Sequence, residues 1–204
     1  MKRLKSRPSR ARPSRPPRGR PRNENIDRTV VAAVLEVLRT RGYRAVTMAG
    51  IARKVKRARA SMYRRWPGKP YLVADCLVNA MGPRPAPDTG SLRGDLRAAV
   101  GTFQRAFAGP LKEALPGLVA DMAHDPRLAQ AVRRQMLAPR RKSIRDALDR
   151  ARRRGEARRT LDVELVLDLL AGPFYFRALF GHGPVDPRLS RSVVDHVLKI
   201  VGRK

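Results

Sequence analysis

From Ile26 onward the apolar residues of this chain recur at three- and four-residue intervals and rarely alternate with polar ones, the periodicity of helices and not of strands. Val30, Val31, Val34, Val37 and Leu38 share one face of a first helix, which Asn23 or Asn25 is placed to cap and Gly42 to stop after a basic last turn. Tyr43 and Val46 are expected to pack back onto it. Thr47 caps a second, short helix with Met48, Ile51 and Ala52 inward, while Ala49 and Gly50 keep the contact close. A third helix runs from about Ala58 to Arg65, turning Met62 and Trp66 toward the bundle and Arg59, Ser61 and Arg64 away from it. A fourth, Lys69 to Ala80, buries Leu72, Val73, Cys76 and Leu77.

The run GPRPAPDTG, residues 82–90, breaks the pattern and is the best internal boundary. Ser91 then caps a helix striped by Leu92, Leu96, Val100, Phe103 and Phe107, which Gly109-Pro110 ends. A shorter helix around Pro116 to Ala123 carries Leu118, Val119 and Met122. Asp125-Pro126 opens the next, with Leu128, Val132, Met136, Ile144 and Leu148 inward and a bend or restart at Pro139. Its outer face, with Arg133, Arg134, Arg140, Arg141, Arg145 and Arg150, is expected to be solvated. Asp162 opens a helix that crosses Gly172-Pro173, and Asp186-Pro187 opens the last. With aromatic residues at 5%, the pattern predicts an all-α fold of about nine helices.

Charge narrows the partners. The 204 residues hold 46 Lys or Arg against 17 Asp or Glu, a net +29, which calls for a polyanion and favours nucleic acid over a membrane surface. Residues 1–70 hold 22 Lys or Arg against Glu24, Asp27 and Glu36, a balance of +19. Residues 1–22 contain almost no apolar side chains and are expected to be a disordered basic arm, either a solubilising tail or a source of phosphate contacts. Cys76 is the only cysteine and is expected in the core; no stretch approaches the roughly 18 apolar residues of a membrane span. A soluble cytoplasmic, nucleoid-associated protein is the expectation, with no membrane partner.

The string GYRAVTMAGIARKV, followed by SMYRRWPGKPYLV, resembles the N-terminal helix-turn-helix domain of TetR-family transcriptional regulators over roughly Arg28 to Met81. The resemblance implies that Thr47, Tyr63 and Lys69 touch phosphates of double-stranded DNA and that the third helix reads bases. The expected interface is therefore Thr47, Lys56, Arg57, Arg59, Ala60, Ser61, Tyr63, Arg64 and Lys69. Where the family usually has Ala-Gly-Val-Ser across the turn, this chain has Val55, Lys56, Arg57 and Ala58. Lys56 must then take the left-handed backbone at about 1 kcal/mol, and Ala58 cannot cap as Ser does. RRGEARRTLDVELVLDLLAGPFYFRALF and the final VVDHVL resemble the family's ligand-binding domain, which implies a homodimer with Leu169, Phe176, Leu179, Phe180, Val193, Val197 and Ile200 at its interface. The expected organisation is 1–22 arm, 23–70 DNA-binding domain, and 71–204 ligand-binding and dimerisation domain.

Catalysis is disfavoured. His124, His182 and His196 lie far apart without metal-ligand spacing, and there is no phosphate loop, nucleophile elbow or apolar carboxylate pair; no metal or cofactor is expected. His196 beside Asp195 reads as an exposed ion partner. Phe103, Phe107, Met122, Met136, Phe174 and Tyr175 lie on different helices and are candidates to line one cavity for an unknown small-molecule effector, with Tyr175 or Arg177 as its polar handle. The leading reading is a ligand-responsive repressor acting as a homodimer on a palindromic operator. Two others stay open: a weakly selective, electrostatically driven DNA-binding protein, and a small-molecule-binding helical protein whose head no longer reads DNA.

Overall fold

The computed structural model describes residues 24–81 and 87–202, and the basic arm expected over 1–22 lies outside them. Helix α1 spans Glu24–Arg41, so Asn25 sits inside it, and a 3-10 turn at Tyr43–Ala45 leads to α2, Met48–Lys54. Then come α3, Arg59–Tyr63, α4, Lys69–Met81, α5, Leu92–Phe107, and α6, Pro110–His124. Helix α7 starts at Pro126–Val132, passes through a π turn at Arg133–Leu137 and continues as Ala138–Arg153. Helices α8, Val163–Phe180, and α9, Pro187–Val201, complete nine among the described residues. The β structure described there is a single bridge between Ala157 and Gly202.

Local chemistry sets most of these starts. The side chains of Thr47, Ser91, Asp125, Asp162 and Asp186 each accept a backbone N–H from the first turn that follows, satisfying donors with no partner inside the helix. Pro126 and Pro187 sit in first turns, where the missing N–H costs nothing.

Two expectations about proline change. Helix α6 begins at Pro110 and runs through Pro116 without a break, because Leu111, Ala114, Leu115 and Leu118 bury one continuous stripe while the Pro116 ring points to solvent. Val119, beside that stripe, is exposed. At Pro139 the chain neither stops nor restarts: the π turn just before it absorbs the missing bond.

Helix α1 packs on α4 and α6, and α5 lies among α6, α7, α8 and α9. The buried residues form one continuous core from Val30 to Val201, with Phe107, Phe174 and Leu38 among its largest fully buried side chains and Cys76 in its interior. No helix of the described residues is long and apolar enough to cross a membrane.

Candidate nucleic-acid interface

Helix α2 buries Met48, Ile51 and Ala52, and α3 buries only Met62, so the rest of α3 faces outward. The corner between them is closed by backbone bonds: Lys56 N–H donates to Arg53 O at 3.1 Å and Arg57 N–H to Ala52 O at 2.9 Å. That pairing is the Schellman motif, which requires a left-handed residue at its centre. Lys56 supplies it with φ 52, the one positive-φ residue other than glycine among those described. The expected strain is therefore present. Ala58 precedes α3 with no side-chain cap bond, and α3 is only five residues, Arg59–Tyr63, shorter at both ends than its pattern suggested.

Of the nine expected contact residues, Thr47, Lys56, Arg57, Arg59, Ala60, Tyr63 and Arg64 are exposed, while Ser61 and Lys69 are partly covered. Arg57 stands in solvent where the family's apolar turn residue would be buried. The Thr47 oxygen accepts from Gly50 N–H at 3.0 Å, which leaves its own O–H able to donate to a phosphate. A Cβ at Gly50 would lie 2.8 Å from that oxygen, so glycine there protects the cap. Behind the corner, Trp66 Nε1 and Arg65 Nη2 both donate to Asp75 Oδ2, at 2.9 and 3.3 Å, fixing the Trp-Pro-Gly turn on α4.

Two tyrosines tie this region to α6 and the start of α7. Tyr43 is buried and donates to Asp121, and burial followed by that bond raises its pKa far above the ordinary phenol value. Its ring lies so close to Gly117 that a Cβ there would fall 2.1 Å from ring carbon Cδ1. Tyr71 on α4 donates to Asp125 at 2.8 Å, which raises the tyrosine's pKa, while Asp125 is lowered mainly by the Leu128 N–H it accepts as a helix cap. Lys69 Nζ sits 4.2 Å above the Tyr43 ring, a cation–π contact on the edge of the expected interface.

The expected effector pocket is rearranged. Phe107 and Phe174 are fully buried in a ring cluster with Phe103, Met122 packs beside the core, and none of these three lines either of the two cavities that open nearby. Close packing of α5 against α8 leaves no space at those rings. Space opens one turn away instead, in a cavity of about 460 Å³ bounded by α4, α5 and α7 that Phe103 and Met136 line. A second of about 330 Å³, between α7 and α8, is lined by Phe103 and Tyr175. Arg177 turns away and donates to Pro184 O at 2.8 Å.

Arg140, expected in solvent, lines both cavities. Its signal was present: Met136, Arg140 and Ile144 are spaced at four residues, so the cation falls on the apolar row of its own helix. Arg141, Arg145 and Arg150 are also not simply solvated, since each meets a carboxylate of another element.

On the expected dimer face, Leu169, Phe176, Leu179, Phe180 and Ile200 are exposed, and Leu165 joins them. Val193 and Val197 do not belong there: α9 turns them onto α5 inside the same chain, where they are buried. His196 Nδ1–H donates to Ser192 O at 2.8 Å, and Asp195 pairs instead with Arg93.

The model of bacterial regulatory proteins of the tetR family matches residues 30–76, and that of the tetracyclin repressor-like C-terminal domain matches residues 86–197. The HTH-type transcriptional regulator YdeS of Bacillus subtilis is 30% identical over 183 residues, covering 89% of this chain and 92% of that protein. A DNA-binding transcriptional repressor TetR of Mycobacteroides abscessus is 32% identical over 184 residues, covering 89% and 96%. The crystal structure of the TetR family transcription regulator SCO0332 superposes with a TM-score of 0.71 at 32% identity, over 86% of this chain and 97% of that one. Both halves matching in order, on an all-helical body whose short α3 is outward-facing apart from Met62, the chain belongs to the TetR family of DNA-binding transcriptional regulators.

Proposed function

We propose that this regulator is a ligand-responsive repressor that works as a homodimer in the cytoplasm and reads a palindromic operator. Its reading head comprises residues 23–70 and its effector-binding and dimerising body residues 71–204. The observation that carries the reading is the α2–α3 corner, where Lys56, Arg57, Arg59 and Arg64 are exposed around an exposed Tyr63. Thr47, Lys56, Arg57, Tyr63 and Lys69 hold phosphates, and Arg59, Ala60, Ser61 and Arg64 face the bases. Two copies joined through Leu165, Leu169, Phe176, Leu179, Phe180 and Ile200 bring two α3 helices to successive major grooves about 34–36 Å apart. Gly172 lies on this stripe with nothing within 4 Å of its Cβ position, which suits a close helix approach. Repression is supported by the name of the mycobacterial relative. An effector in the body releases DNA to the extent that it binds the non-reading state more tightly.

A second reading is favoured by Lys56 and Arg57, which place two cations where the family's turn is neutral. It is a weakly selective DNA binder driven by charge, for which six phosphate contacts would give a log–log salt slope of roughly −5 on any sequence. Selection of bound sequences from random duplexes by purified full-length protein separates the two. A palindromic consensus is expected; an unselected pool retained with the same salt dependence overturns the operator reading.

A further inference from the structure

Helix α3 is lightly anchored. It has five residues, Arg59–Tyr63, and buries only Met62; Ala58 gives it no side-chain cap, and the corner before it rests on the left-handed Lys56. Whatever fixes its other end therefore decides where Tyr63 and Arg64 point. The N–H groups of Arg65 and Trp66 both donate to Met62 O, at 3.1 and 3.0 Å, which closes the helix and turns the chain toward α4.

On α4 a single carboxylate oxygen receives the two side chains that follow the helix. Trp66 Nε1 donates to Asp75 Oδ2 at 2.9 Å and Arg65 Nη2 donates to it at 3.3 Å, with the Arg65 guanidinium carbon 4.8 Å from the Trp66 ring centre. The indole is buried, and its N–H is a donor with no second use, so it needs this acceptor. The other carboxylate oxygen is held as well: Asn79 Nδ2 donates to Asp75 Oδ1 at 3.1 Å and to Asp75 O at 2.7 Å. Asp75 cannot swing without giving up a bond on each oxygen.

The turn Trp66-Pro67-Gly68 runs between two parts of the expected interface, Tyr63 and Arg64 before it and Lys69 after it. Pinning that turn sets both parts at once. As a bare negative charge Asp75 would do the reverse of helping, since removing an acid near the reading head tightens binding to any duplex. Charge and geometry thus predict opposite signs for the same substitution.

Resting on the reading of α3 as the operator-contacting helix, we propose that Asp75 is a positioning residue for sequence recognition. It touches no DNA; by holding Trp66 and Arg65 it aims Tyr63, Arg64 and Lys69 at one DNA surface.

The test uses the full-length protein, a palindromic duplex selected from the random pool, and a random duplex of the same length. Asp75→Ala is expected to bind the selected duplex about tenfold more weakly, the scale of one hydrogen bond to a charged acceptor, and the random duplex no more weakly than the parent. Asp75→Asn, which keeps the shape and one acceptor oxygen, should lose about threefold on the selected duplex alone, and it decides the matter by itself where the alanine variant does not fold. Glu36→Gln removes a carboxylate of the head without touching the turn and should leave the preference between the two duplexes unchanged. Trp66 is the single tryptophan of the chain, so its emission reports the bond directly: in Asp75→Ala it should shift to the red and become more open to acrylamide. In a cycle with Trp66→Phe the two losses on the selected duplex should not add, because either change breaks the same contact. Both duplexes tightened alike would make Asp75 a charge only, and both weakened alike would make it a fold residue only. Either result overturns the proposal, as do unmoved Trp66 emission and additive losses. A pool without a palindromic consensus takes down the operator reading and this proposal with it, whereas a consensus that the parent and the Asp75 variants bind equally takes down this proposal alone.

Discussion

At the corner between α2 and α3, Lys56, Arg57, Arg59 and Arg64 stand exposed, and among the described residues none of them makes an ion pair, whereas Arg141, Arg145, Arg150 and Arg154 in and just after α7 are each held by a carboxylate. The residue type is the same; the supply of acids differs. Residues 1–70 have only Glu24, Asp27 and Glu36, and Glu36 is occupied by Lys54 at 2.8 Å. In the body, Asp95 is wholly buried and takes Thr89 N–H at 2.7 Å, with Arg150 and Arg154 at 3.5 and 3.7 Å. Glu164 and Asp168 on α8 bind Arg141, and Glu164 also meets Arg145. Cations already neutralised add little to a phosphate field, while those left in water release counterions when DNA arrives. The same basic composition thus yields an adhesive surface at one end and cross-braces at the other.

The sharpest way to break this contrast is Asp95→Ala. It leaves Arg150 and Arg154 without the buried acid and Thr89 without its acceptor, and should cost about 3–5 kcal/mol in urea unfolding. DNA affinity of the protein that remains folded should not change. Next come Arg59→Ala and Arg64→Ala, each expected to weaken binding to a selected operator by about 1–3 kcal/mol in anisotropy titrations. Their unfolding free energies should stay within about 0.5 kcal/mol of the parent, as for surface changes generally. A clear loss of stability would mean that the corner is braced like the body.

Lys56→Gly should move the two properties in opposite directions. Relief of the left-handed backbone should stabilise the fold by about 1 kcal/mol, and loss of one phosphate contact should flatten the log–log salt slope by about 1. The smallest effect is expected from Glu164→Gln, read as stability against pH. Hydrogen bonds from Arg141 and then Arg145 hold the Glu164 carboxyl below its ordinary 4.5. A depressed folded-state pKa means stabilisation that is complete well above the ordinary 4.5 and is lost as pH falls from there through the lower folded-state value. The variant should therefore lose less stability than the parent on acidification below 4.5, and an identical acid limb would remove Glu164 from the brace.

Much of the fold was readable locally. The caps at Thr47, Ser91, Asp125, Asp162 and Asp186 and the burial of Cys76 and Trp66 follow from chemistry within a few residues of each position, while the left-handed Lys56 followed from the resemblance of its turn to the family's glycine-bearing one. The exposure of Arg59 and Arg64 followed as well, because Met62 alone anchors α3, while Ser61, expected to face out with them, is partly covered. Misreadings cluster where one helix has several neighbours. Val193 and Val197 share α9 with Ile200, yet the valines meet α5 and the isoleucine meets solvent, a distinction a helical stripe does not carry. Phe107 and Phe174 were reasonable cavity walls until α5 and α8 closed on them.

The order of residues alone determined where helices begin, which face of each is apolar and which segment is most basic, because capping, periodicity and charge act over one or two turns of chain. Only the tertiary structure decided which cations are spent on internal acids, which aromatic rings enclose space and that the row carrying Arg140 meets a cavity instead of packed side chains. Those outcomes depend on groups 15 to 60 positions apart, such as Arg141 with Glu164, Arg150 with Asp95 and Arg140 with Met81, meeting at hydrogen-bond distance, and no local pattern encodes such a meeting.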